Sequence, residues 1–149
     1  MSAGIQDDPR LALIAESYHR LIGRPLVHSA PDVALALWEA PRVIVAHGMQ
    51  DDPVFFYGNR LALQVFEMDF SAFVQLPSRY SAEPLARDER ARLLERVARD
   101  GFIDDYAGVR ISATGKRFRI VQAEVWNLVD ADGVCHGQAA SFAHWQPLP

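Results

Sequence analysis

At 149 residues, half of them hydrophobic and 23% charged, the chain has the size and composition of one globular domain and too few charges for extended disorder. A formal net charge of −4 gives non-specific binding to nucleic acid or to an anionic membrane no bulk support. One cysteine, Cys135, excludes an intrachain disulfide, and the N-terminus lacks the basic start and apolar run of a signal peptide, which together predict a cytoplasmic setting.

The first predicted helix runs from Pro9 to Ile22, with Asp8 to cap it and Gly23 to end it. Leu11, Ile14, Tyr18 and Leu21 fall on one stripe at helical spacing, which either packs on the domain itself or pairs two chains in a homodimer. Ser29-Ala30-Pro31-Asp32 reads as a capping box that opens a second helix ending near Trp38, stopped by Pro41. Arg42 to His47 is rich in β-branched residues and reads as a strand. The next strand, from Val54, turns through Gly58-Asn59 straight into a helix from Arg60 to Met68, with Asn59 placed as its N-cap.

Asp69 to Pro84 is irregular, and a helix follows from Leu85 to Asp100 with an apolar face of Leu93, Leu94, Val97 and Ala98. Three strands close the chain, Tyr106 to Ala113, Arg117 to Val129 and Val134 to Trp145. The turns at Thr114-Gly115 and Asp130 to Gly133 make them antiparallel neighbours. No window approaches the ~18 to 20 apolar residues of a membrane helix, so no membrane span is expected.

This order of elements resembles a PAS domain preceded by extra helices, and more closely the MEKHLA domain family. The likeness is carried by Phe56-Tyr57-Gly58-Asn59, Leu76-Pro77-Ser78-Arg79-Tyr80-Ser81-Ala82-Glu83, Gly108-Val109-Arg110-Ile111-Ser112, Gly115-Lys116-Arg117-Phe118, Val125-Trp126-Asn127-Leu128 and Gly137-Gln138-Ala139-Ala140. The Leu-Pro-Ser-Arg block is its most specific part. The resemblance implies an α+β fold, a PAS-like five-stranded antiparallel sheet with helices on one face plus N-terminal helices. The strand from Val43 would lie beside the last strand. It divides the chain into a helical segment over 1–40 and a MEKHLA core over 41–146, together one domain. In plants the family sits at the C-terminal end of class III homeodomain-leucine-zipper proteins, which implies a regulatory role; this sequence has no homeodomain or zipper, so no nucleic-acid partner carries over.

PAS folds hold ligands between the sheet and the helices that cross it, so inward polar residues are the candidates there. Tyr57, Tyr80, Tyr106 and Trp126 would form an aromatic wall for a small organic ligand, or else a core with satisfied polar tips. Arg79 would receive a carboxylate in a two-pronged bond, or else pair with Glu83 or loop carbonyls. Gln122 and Glu124 interrupt a strand face that also carries Phe118, Ile120, Trp126 and Leu128. That break is a ligand site, an internal network, or a bulge that turns both residues to water. Gln138, on the last strand, would reach Gln122 or Trp126, and Arg79, Tyr80, Trp126 and Gln138 would line one cavity.

The five histidines are scattered, and Cys135 and His136 point to opposite faces of a strand, which argues against a metal site. By analogy with PAS domains, haem is disfavoured because the long helix has no histidine, and a covalent flavin because the Asn-Cys-Arg motif is missing. The expected function is a small-molecule-binding sensory domain that signals through contacts with a protein partner. The alternatives are a ligand-free interaction or dimerisation module and a small α+β enzyme with Glu124 or His144 as general base.

Overall fold

A computed structural model describes residues 8–27, 32–82 and 84–149; for 84–87, 90 and 94 it describes the backbone alone. Helix α1 (Arg10–Ile22) ends on Gly23, whose left-handed backbone lets its N–H bond the His19 carbonyl. Asp8 stands at the start and accepts the Arg10 N–H at 2.9 Å. Helix α2 (Val33–Glu39) is capped by Asp32, which accepts from the Leu35 N–H; Ser29 to Pro31 of the expected capping box lie outside the described residues.

Strands β1 (Val43–His47) and β2 (Phe55–Gly58) lead into helix α3 (Arg60–Phe66). Asn59 caps α3 by accepting from the Ala62 N–H at 3.1 Å, and also ties three elements together. Its Oδ1 accepts from the Ile44 N–H, and its Nδ2 donates to the Leu37 and Arg42 carbonyls. The stretch expected to be irregular holds the one-turn helix α4 (Phe70–Phe73) and a 3-10 turn (Ser78–Ser81). Helix α5 (Pro84–Asp100) follows, then β3 (Phe102–Ile111), β4 (Arg117–Val129), β5 (Cys135–Phe142) and β6 (His144–Pro147).

The sheet runs β2-β1-β5-β4-β3, all neighbours antiparallel, with β1 beside β5 as the resemblance implies. The expected last strand is broken in two. β6 continues β5 along the same edge of β4, so that Glu124 faces Ser141 and Val121 faces His144 in an unbroken register. At the break, Gln122 takes φ 51, a left-handed conformation rare for a residue with a side chain.

That single residue reverses the parity of β4. Before it, Phe118 and Ile120 face one core; after it, Ala123 and Val125 take over that face, while Glu124, Trp126 and Leu128 face the opposite side. The partner strand reverses too, since Phe142 and Trp145, three residues apart across Ala143, stack edge to face in the first core at 5.9 Å. The sequence expectation of one face carrying Phe118, Ile120, Gln122, Glu124, Trp126 and Leu128 is thereby corrected. Gln122 points to solvent, and Glu124 belongs to the other side of the sheet.

Both faces of the sheet are covered. The first carries α3, α4 and α5, through Phe66, Phe73, Leu93 and Val97. The second carries the N-terminal helices, with Leu11, Ile14, Tyr18 and Leu37 on Ile44, Trp126 and Leu128. Leu11, Ile14 and Tyr18 are thus buried in their own chain, and Leu21 packs beside them. Of the two readings of that stripe, packing on the domain is what its residues do. No helix among the described residues is long and apolar enough to cross a membrane.

Candidate functional site

On the first face, a cavity of about 60 Å³ lies between the sheet, α5 and the end of the 3-10 turn. Its walls are mostly apolar: Val45 and Phe142 from the central strands, Phe55 from β2, Phe66 from α3, Leu93 from α5, and Ile120 and Val125 from β4. The volume suits a molecule of a few heavy atoms and falls below the ~300–1,000 Å³ of sites for drug-sized ligands.

Five polar residues interrupt the apolar wall: His47, Arg110, Tyr106, Gln138 and Ser81. His47 Nδ1 lies 3.0 Å from the Gly48 carbonyl. Ser81 donates to the Ser78 carbonyl at 2.7 Å and is satisfied within its turn. Gln138 donates through Nε2 to Asn127 Oδ1 at 3.1 Å, and Asn127 in turn donates to the Val97 carbonyl of α5 at 3.2 Å. The Gln138 Oε1 is buried and has no partner.

Tyr106, Gly108 and Arg110 share the inward face of β3, by the two-residue period of a strand. Gly108 is needed there, because a Cβ at that position would overlap the Tyr106 hydroxyl. The phenol therefore lies along its own strand towards Arg110, whose guanidinium stands 5.1 Å from the ring centroid.

On the second face a carboxylate gathers donors around it. Glu124 is 3% exposed and accepts from the Tyr18 hydroxyl at 2.6 Å, from Arg42 Nη2 at 2.9 Å, and from Arg24. A buried carboxylate needs such donors, because desolvation otherwise disfavours its charge. Burial, reinforced by the bond to Glu124, pushes the Tyr18 phenol up to about 12. Around this cluster α1 is fastened to β4. Trp126 Nε1 donates to the Ile14 carbonyl at 3.2 Å, and Ser17 Oγ both donates to and accepts from the backbone of Val129. With Tyr18, Arg24 and Arg42 on its oxygens, Glu124 ties three other segments of the chain to β4.

The residues singled out in the sequence are therefore dispersed. Tyr106 and Gln138 line the cavity. Trp126, Tyr57 and Glu124 lie on the second face, and Gln122 lies in solvent. Arg79 pairs with Asp52 at 3.0 Å and lies over the ring of Tyr80, which is 47% exposed. Arg79, Tyr80 and Trp126 do not join Gln138 around one cavity, because Asp52 holds Arg79 outside the sheet and the Gln122 reversal turns Trp126 away. Glu83, the other partner considered for Arg79, lies outside the described residues.

Arg110, Gly108, Arg24 and Arg42 are the residues that site reasoning missed. The first two stood in plain alternation with Tyr106 in a predicted strand, which is the signal that finds them.

Comparison with known proteins places this geometry. A family model described as MEKHLA domain matches residues 9–147, which include α1. The homeobox-leucine zipper protein HOX9 of Oryza sativa subsp. indica is 25% identical over 148 residues. They make up 96% of this chain and 18% of the rice protein, so the chain spans under a fifth of that relative. Among solved structures, the PAS domain of a protein from Colwellia psychrerythraea superposes with a TM-score of 0.64 at 11% identity, over 77% of this chain and 92% of that one. A light-oxygen-voltage domain from work with a flavin analogue superposes with a TM-score of 0.62 at 14% identity, over 78% of this chain and 84% of that one. At such identities the likeness is one of fold.

Proposed function

The chain belongs to the MEKHLA domain family, a PAS-like sensory and regulatory fold, and on that premise we propose that it binds a small organic molecule in the first-face cavity and signals in the cytoplasm through contacts with a protein partner. The observation that carries the reading is in β4. Ala123 and Val125 line the cavity, while Glu124 and Trp126, alternating with them, hold α1. A ligand that favours one position of β4 thereby favours one packing of α1, and the response is a shift between two populations.

Gln138 supports the same path, since its amide links the cavity through Asn127 to the carbonyl of Val97 on α5. A native mass spectrum of gently purified protein tests the reading. The expected spectrum carries an added mass of a small organic compound that is lost on denaturation, and it reports the oligomer, homodimer or monomer, in the same measurement. A bare-chain mass, together with cavity resonances that no small organic compound moves at millimolar concentration, overturns it. That result favours the second reading, a ligand-free interaction module, for which the exposed Arg79 and Tyr80 are the supporting surface.

A further inference from the structure

We propose that the cavity selects a small organic acid that also carries a hydroxyl or amino donor, its carboxylate received by Arg110 and its donor by Gln138. The inference rests on the reading of the cavity as a ligand site and names the class of molecule.

Arg110 is 9% exposed and lines the cavity. Among the described residues its bonded contacts are one Nη1 donation to the Val109 carbonyl at 3.2 Å and the contact with the Tyr106 ring. A guanidinium has five N–H donors, so most of its donors are left over. Among the described residues no carboxylate lies within ion-pair distance of it. That differs from the treatment of Arg42 on the other face, which is given Glu124. No nitrogen of Arg110 is among the buried atoms left without a partner, so those donors stay open to water or to a guest, and a planar fork matches a carboxylate in two parallel bonds.

The fork is also held in place. Gly108 makes room for the Tyr106 phenol, and the phenol supports one face of the guanidinium. The second specification comes from Gln138, whose unpartnered Oε1 is an acceptor and asks the ligand for an O–H or N–H. Apart from His47, Ser81 and Tyr106, the rest of the wall is hydrocarbon, including Phe55, Ile120 and Val125. An inorganic anion would lose its hydration against those side chains, whereas an organic acid sets a carbon skeleton there. The volume of about 60 Å³ restricts that skeleton to a few atoms.

The test is a ¹⁵N-resolved titration of the whole chain with lactate, its neutral isostere lactamide, propionate and inorganic phosphate. Lactate is expected to move the Arg110 side-chain and Gln138 amide resonances, and to bind at least tenfold more tightly than lactamide and severalfold more tightly than propionate. Arg110→Met should remove the preference over lactamide, and Gln138→Leu the preference over propionate. If Arg110→Met fails to fold, Arg110→Lys, which keeps the charge and loses the fork, should bind lactate severalfold more weakly while its melting curve stays cooperative.

Lactamide binding as well as lactate, phosphate displacing lactate, or Arg110→Lys leaving lactate affinity unchanged would each overturn the acid assignment. Of these, lactamide bound in the cavity leaves the ligand-site reading standing. If no probe, acidic or neutral, moves a cavity resonance, both readings fall.

Discussion

On one face of the sheet, α1 closes over β4 with an edge-to-face Tyr18–Trp126 pair, backbone hydrogen bonds made by Ser17, Arg20 and Trp126, and a carboxylate whose two oxygens are taken by Tyr18, Arg24 and Arg42. On the other, α5 and the 3-10 turn leave space, and the arginine beside that space has no acid among the described residues. The same residue type thus plays two parts on one sheet. Where arginine meets a buried glutamate, the two charges pair and fasten a helix; where no described carboxylate meets it, its fork is left open beside a cavity. The reversal at Gln122 shapes the contrast: Ile120 before it and Ala123 and Val125 after it all serve the cavity, which leaves Glu124 and Trp126 to the clamp.

The sharpest way to break the comparison is to strip the settled face of its cations. Arg24→Met together with Arg42→Met leaves Glu124 buried with Tyr18 as its one remaining partner, and stability at neutral pH should fall by about 3–5 kcal/mol in denaturant unfolding. Arg24→Met alone should cost far less, since that side chain is 59% exposed and its pairing is screened by water. Wild-type stability in the double variant would mean that the clamp does not hold α1.

The next effect is alkaline. The folded Tyr18 phenol titrates at about 12 against 10.0 for the ordinary group, with burial the first cause and the bond to Glu124 the second. A raised acid pKa means that the folded state keeps a proton the unfolded state gives up. The contribution is therefore complete below pH 10 and is lost as pH rises through 12, at up to about 1.4 kcal/mol per pH unit. Burial raises Tyr57 as well, in the same direction. Tyr18→Phe should flatten part of the slope, and Tyr18→Phe with Tyr57→Phe the rest. A slope unchanged in both would place the titrating group outside the second face.

Smaller again is the effect at the reversal. Gln122→Val puts a β-branched side chain at φ 51 and should cost about 1–2 kcal/mol, whereas Gln122→Gly should be tolerated. If valine is tolerated equally, the two faces do not depend on that backbone conformation.

What could be read from the sequence was local. Gly58-Asn59 announced the cap of α3, and Thr114-Gly115 and Asp130 to Gly133 announced the two hairpins, because a cap or a tight turn is decided by a few adjacent residues. β3 begins at Phe102, four residues before expectation, because Asp104 and Asp105 interrupt its apolar alternation where its register with β4 also slips. The reversal at Gln122 left only the polar break that a bulge, a ligand site or an internal network would each explain, since glutamine carries no preference for positive φ and nothing adjacent chooses among the three. Arg79 was read against the nearby Glu83, while the partner that holds it, Asp52, is distant in the chain. Site residues were found where alternation was simple, as for Tyr106, and misplaced where a long-range partner or the reversal intervened, as for Trp126 and Glu124.

The smallest effect separates the faces by their orphaned atoms. Tyr57 is fully buried on the second face and its hydroxyl has no hydrogen-bond partner. Its ring is held by packing, edge to face with Phe70 at 6.4 Å. An unmet buried hydroxyl costs about 1–3 kcal/mol in desolvation, so Tyr57→Phe, which keeps the ring and removes the oxygen, should leave stability unchanged or raise it by about 1 kcal/mol. Gln138→Leu, the matching change on the first face, removes an orphaned acceptor too, but also breaks the bond to Asn127, and should lower stability by a comparable amount. Denaturant midpoints of the two variants with a common slope decide the matter. A gain for Tyr57→Phe and a loss for Gln138→Leu keep the faces distinct. A loss at Tyr57 would mean that its hydroxyl is satisfied in solution, and that the second face also keeps a place for a polar guest.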